Sequence, residues 1–169
     1  MQRTTVHRIT FFSLLLGMGI ILHFLEFYIS IPIGGYLLKP GISNIVVLFC
    51  IYLLSFRDAV FLSLSRGILS GLFEPSVNAI TICITFGGIV LSLIGMYIVV
   101  VLSPRKIIHM SIVGAIAHNI GQLMVVLFFI PDKYLLYYLP LLIISGFFGG
   151  FITGWIVTIA LPKINQPVT

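Results

Sequence analysis

The chain has 169 residues, 60% of them hydrophobic and 8% charged, with a formal net charge of +5 and a mean hydropathy of +1.23. That balance excludes an ordinary soluble globular domain and puts the chain in the membrane class. Its basic residues stand singly at the ends of apolar stretches, not in aromatic-rich clusters, which excludes a nucleic-acid-binding surface.

Six apolar segments predict an all-α integral membrane protein, a single six-helix transmembrane bundle spanning residues 1–169. A helix needs about 20 apolar residues to cross a hydrocarbon core of about 30 Å. The first segment, residues 9–29, meets that length. Arg3 and Arg8 ahead of it imitate a signal peptide, but no A-x-A-like cleavage site follows, so it reads as a membrane helix. The stretch 30–41 carries Pro32, Gly34, Gly35, Pro40 and Gly41, too many breakers for a simple hairpin. It is placed either to cover one end of the bundle or to run free in solvent.

Segments 42–54 and 59–73 are short and joined by the tight turn Ser55-Phe56-Arg57-Asp58. They read as two short helices capped by loops, or as a pair that re-enters the membrane. Non-helical backbone at that depth survives only inside protein or beside water. Residues 77–102, 107–130 and 139–161 are each long enough to span. Gly87-Gly88 offers a kink in the fourth segment. In the sixth, Gly146, Gly150 and Gly154 form a small-residue ladder, echoed by Ser145, Gly149 and Thr153, the pattern of close helix contact.

Basic residues set the expected orientation. With the N-terminus in the cytoplasm, Arg3, Arg8, Arg57, Arg105, Lys106 and Lys163 fall inside, against Lys39 and Lys133 outside. That bias places both termini in the cytoplasm and the chain in the membrane that bounds it.

The polar residues within the apolar segments carry the functional signal. A charged side chain at the centre of a membrane helix costs roughly 2.5–3.5 kcal/mol on insertion scales, so such residues mark function by default. Glu26 and Arg66 are the two charges set well inside. They are either a structural ion pair or a binding element in which Arg66 anchors an anionic group and Glu26 is its resting partner. His23 lies one turn from Glu26, as a proton partner or a satisfied core histidine. His118 and Gln122, four apart, share a helix face, and Asn119 lies about 100° round from His118. That trio forms a ligand-binding face or a set of interhelical hydrogen bonds. Asn44 and Asn78 open their segments on the outer side, and Lys39 sits over that end. The candidate substrate-binding set is therefore Glu26, Lys39, Asn44, Arg66, Asn78, His118, Asn119 and Gln122, all in the outer half of the membrane.

Ser13 and Gly17 make a small-residue face on the first segment, with Gly17 opposite Glu26 on the helical wheel. If Glu26 faces inward, that face looks out and is a candidate for docking another membrane subunit, or else it packs within the chain. Cys50 and Cys83 stand alone in apolar runs and read as small buried side chains. The sequence has no P-loop, no GxSxG and no His/Cys ligand set, and its aspartates, Asp58 and Asp132, are isolated. Holding Mg²⁺ on a diphosphate takes clustered carboxylates. No catalytic residue, metal or cofactor is expected.

The stretch Lys39-Pro40-Gly41-Ile42-Ser43-Asn44-Ile45 resembles the K-x-G-x-x-N-I pattern of the Gx transporter family, whose members are also labelled heptaprenyl diphosphate synthase component I. Arg57-Asp58-Ala59 with Ser65-Arg66-Gly67-Ile68-Leu69-Ser70-Gly71 resembles that family's second block. Gly114-Ala115-Ile116-Ala117-His118-Asn119-Ile120-Gly121-Gln122 resembles its most specific one, and Tyr137-Tyr138-Leu139-Pro140 also fits. In size and layout the chain is similar to the S components of energy-coupling-factor transporters, which carry an alanine pair on the first helix where this chain has Ser13 and Gly17. The resemblance implies a substrate-capture subunit of a small-molecule importer. Its substrate would be anionic or isoprenoid-linked, and its partners the lipid bilayer and a transmembrane coupling subunit with its ATPases. The alternative is a non-catalytic membrane component working with a soluble prenyl diphosphate synthase subunit.

Overall fold

A computed structural model describes residues 5–33, 36–38, 41–72, 78–103 and 106–164. Six α-helices follow in order: α1 (Thr5–Tyr28), α2 (Asn44–Leu53), α3 (Phe56–Leu72), α4 (Ala79–Leu102), α5 (Ile107–Phe129) and α6 (Leu139–Ile164). Each coincides within a few residues with an apolar segment of the sequence. Between α1 and α2 run two short strands, β1 (Ile31–Ile33) and β2 (Tyr36–Leu38), and a 3₁₀ turn (Lys133–Tyr138) leads into α6.

Among the described residues four helices are long and apolar enough to cross a membrane: Arg8–Glu26, Ala79–Leu102, Ile107–Phe129 and Lys133–Leu161. Their outer faces expose Leu14, Ile21, Val90, Ile94, Phe148 and Ile152, a surface suited to lipid and unsuited to water. This is a membrane protein by the physical character of its surface.

The short helix α2 is the centre of the bundle. Its 10 residues reach only about 15 Å, half a hydrocarbon core. Val46, Val47, Leu48, Phe49 and Cys50 are consecutive and all buried, so α2 is enclosed on every side, as a helix apolar all round must be. It packs against α1, α3, α5 and α6. A helix so enclosed has no need to span. Ser55 closes the α2–α3 turn: its Oγ accepts from Asp58 N at 3.1 Å and donates to Asp58 Oδ2 at 2.8 Å. Arg8 of α1 then clasps Asp58, Nη2 to Oδ1 at 2.7 Å, tying α1 to the start of α3.

Helix α5 lies between α4 and α6, in extensive contact with both. The α6 ladder meets the α5 backbone directly. A Cβ added at Gly146, Gly150 or Gly154 would come within 3.0 Å of Ile116 Cα, 2.6 Å of Ile112 Cα or 2.8 Å of Ile108 Cα, respectively. Ser111 and Thr153 join across the same seam at 2.6 Å. On the other side Gly87 and Gly121 bring α4 and α5 into backbone contact. Gly87 thus serves helix packing, and α4 runs unbroken through it.

Two expectations are corrected. Cys83, read as a buried side chain, is exposed on α4, whereas Cys50 is buried. The breaker-rich stretch after α1 does form a hairpin, β1 pairing antiparallel with β2 in the register Ile31↔Leu38, Pro32↔Leu37, Ile33↔Tyr36. A two-stranded ribbon leaves one edge of each strand unpaired, so Pro32 needs no donor there. The hairpin's β2 packs on α5, and Gly41, with φ of +82°, turns the chain into α2 against Ala115 of α5.

Candidate functional site

The buried polar residues converge from five segments. His23 and Glu26 come from α1, Ser43 from the entry to α2, Arg66 and Gly67 from α3, Thr85 and Ile89 from α4, and His118 and Gln122 from α5; together they line one cavity. The cavity is small and largely enclosed, with about 10 Å³ open to a water's centre, room for a single water.

Its charges are deeply buried. Glu26 and Arg66 are each 2% exposed, at helical depths where an unmatched charge is costly. Yet no ion pair joins them among the described residues. Glu26 Oε1, Arg66 Nε and Arg66 Nη1 have no hydrogen-bond partner there either, although each charge lies in the other's field. Orphaned buried polar atoms are uncommon in folded proteins and call for an explanation. Here three of them sit on two opposite charges sharing one cavity.

Local packing fixes the walls. Arg66 crosses α1 at Gly19, where an added Cβ would lie 3.1 Å from its Cδ, so the absent side chain gives the arginine stem its path. His118 lies against Gly88 of α4, where a Cβ would come 2.8 Å from its Cε1 and 2.9 Å from Gln122 Cγ. Gln122 Nε2 and His118 Nε2 are 3.1 Å apart, locking the two side chains along one face of α5. Gly88 is therefore a seat for the imidazole.

The remaining candidates lie elsewhere. Asn119 turns to the α5–α6 seam, its Nδ2 donating to Leu142 O at 2.8 Å and Ser145 Oγ at 3.2 Å. Asn44 is buried next to Ser43 of the cavity wall and donates to Ser92 Oγ at 3.4 Å. Asn78 caps α4: its Oδ1 accepts from Thr81 N at 2.8 Å while its own N donates to Thr81 Oγ1 at 2.9 Å. Lys39 lies outside the described residues. Ser13 and Gly17 are both exposed, and a Cβ at Gly17 would meet nothing within 4 Å. His23, with its two readings in the sequence, lines the cavity; its signal was the one-turn spacing to Glu26. Ser43 and Thr85 carried no signal, because hydroxyls are common in membrane helices.

A family model described as heptaprenyl diphosphate synthase component I matches residues 15–160. The chain belongs to that family. The match reaches into all six helices, covering α2 to α5 entirely, and takes in every described residue of the cavity wall. Comparison with curated proteins and with solved structures gave no match.

For a member of this family the cavity has a definite chemical character. It offers a carboxylate acceptor, guanidinium donors and imidazoles within an apolar bundle, an arrangement suited to recognising a polar group removed from water. The chain's four carboxylates are dispersed: Asp58 is engaged by Arg8, Asp132 caps the 3₁₀ turn through Tyr134 N, Glu26 is in the cavity and Glu74 lies outside the described residues. Among the described residues no three His, Cys, Asp or Glu side chains stand together as metal ligands.

Proposed function

We propose that this family member is a non-catalytic, membrane-embedded binding subunit that captures a small molecule at the cavity between α1, α3, α4 and α5. The carrying observation is the pair Glu26 and Arg66, buried in one cavity with polar atoms left unpartnered. A structural ion pair would close on itself. A site awaiting a guest keeps such atoms in reserve. The bundle sits across the membrane with both termini in the cytoplasm, and the hairpin covers the outer end, so capture takes place from outside. Movement of the guest inward falls to a coupling partner, for which the small-residue face at Ser13 and Gly17 is the docking surface.

Extraction of the purified protein followed by small-molecule mass spectrometry tests this reading. Wild type should release a compound at near one equivalent, and Arg66→Ala and His118→Ala should release little. Equal release from all three would remove the site assignment.

The family description favours a second reading, a membrane component beside a soluble prenyl diphosphate synthase subunit. On that reading the cavity holds the polar head of a prenyl substrate or product, and catalysis belongs to the other chain. Co-expression with a candidate synthase separates the two. Product chain length or rate changes with this chain present under the second reading and stays constant under the first.

A further inference from the structure

The chemical class of the guest can be read from the cavity's charge balance, given that the cavity is a binding site at all. Four groups able to carry charge face it: Glu26 and His23 from α1, Arg66 from α3 and His118 from α5. The wall from Ser43 and from Thr85 and Ile89 of α4 adds none. With the imidazoles neutral, one carboxylate and one guanidinium sum to zero.

Those two charges face the same small gap without bonding across it. Arg66 keeps Nε and Nη1 unused, and Glu26 keeps Oε1 unused, among the described residues. A purely anionic guest would satisfy Arg66 and leave Glu26 as an unmatched negative charge beside it. A purely cationic guest would satisfy Glu26 and strand Arg66. Either outcome leaves an uncompensated charge in a low-dielectric interior, the costliest arrangement available to a buried pair. A guest with a cationic donor at one end and an oxyanion at the other satisfies both and keeps the site neutral. Guanidinium is suited to the oxyanion because its planar fork matches carboxylate and phosphate oxygens.

We propose that the cavity between α1 and α3 takes the head of a zwitterion, with an ammonium group on Glu26 and a carboxylate or phosphate on Arg66. A head of that size exceeds the space for one water, so its entry widens the gap between the two charges. The wall best placed to yield is α1, which packs chiefly on α2 and α3 and presents its other side to lipid.

The test is a thermal-shift panel on the full protein in detergent micelles. The panel holds the twenty free amino acids and glycerophosphoethanolamine. For each active compound it adds the N-acetyl form, which lacks the cation, and, for amino acids, the methyl ester, which lacks the anion. At least one zwitterion should raise the melting temperature while its half-charged analogues bind at least about tenfold more weakly. An amino acid would assign the oxyanion as carboxylate, and glycerophosphoethanolamine would assign it as the phosphate of a lipid headgroup.

Glu26→Gln should reverse the preference, so that the N-acetyl form outcompetes its parent. A misfolded variant would lose both, so reversal reports charge matching. A folded variant with the original preference would overturn the role given to Glu26. Should the variant not fold, the wild-type panel decides alone. If the N-acetyl form or the methyl ester stabilises wild type as well as its zwitterionic parent, the charge class is wrong while the binding site stands. If no panel compound acts, the compound released from wild type decides: a zwitterion upholds the proposal and any other charge class overturns it. If nothing is released either, both readings fall.

Discussion

At the residue scale, the cost of burying polarity made part of the site legible. Glu26, Arg66, His118 and Gln122 stood out because hydrocarbon penalises them, and all four line the cavity. Asn119 carried the same signal but serves the α5–α6 seam, because one residue of helical phase, about 100°, separates two faces of α5. The composition of a helix cannot say which neighbour each face meets. Asn78 was marked as polar at a segment start, and its position at the helix entry, three before Thr81, is that of a cap.

Two expectations belong at this scale. Removing one member of the central pair leaves the other buried and uncompensated, so Arg66→Gln should lower stability by about 3–5 kcal/mol in reversible denaturation from micelles. The double variant Glu26→Gln/Arg66→Gln should recover much of that loss. Additive losses would show that the two charges do not interact. Gly88→Ala puts a methyl where His118 and Gln122 pack, and overpacking of this kind costs about 1–3 kcal/mol. It should also abolish ligand release by displacing the imidazole, whereas a variant that retained full ligand content would contradict the seat assigned to Gly88.

At the scale of elements, all six helices were legible from apolar length, and the α6 glycine ladder was legible as a contact surface. The centrality of α2 was not. A short apolar segment reads the same whether it is capped, re-entrant or enclosed, and only the packing of α1, α3, α5 and α6 around it decides. The hairpin after α1 was misread because its prolines and glycines obscured Ile31, Ile33, Tyr36 and Leu38, residues of good strand propensity at alternating positions. Helix packing makes a paired forecast. Gly150→Ala drives a Cβ to 2.6 Å from the Ile112 backbone, which has no rotamer to give way, so stability should fall by about 1–3 kcal/mol. Gly17→Ala meets nothing within 4 Å and should be neutral or slightly stabilising, since alanine favours helix over glycine by up to about 1 kcal/mol. Melting curves of the two side by side test this, and equal effects would contradict the described α5–α6 contact.

For the whole molecule, membrane character was legible from composition. The size of the cavity was not legible, because it depends on how closely α1 approaches α3. Orientation is a forecast at this scale. In a Cys83→Ser background, Lys133→Cys should react with a membrane-impermeant thiol reagent added outside intact cells, and Lys106→Cys only after permeabilisation. The opposite pattern would invert the bundle.

The central claim is that opposite charges buried at Glu26 and Arg66 hold a guest. Native mass spectrometry of the protein released from lipid nanodiscs measures this most directly. Wild type should carry one discrete adduct of defined mass that Arg66→Gln lacks. The same adduct on both proteins, or bare mass on both, would contradict it.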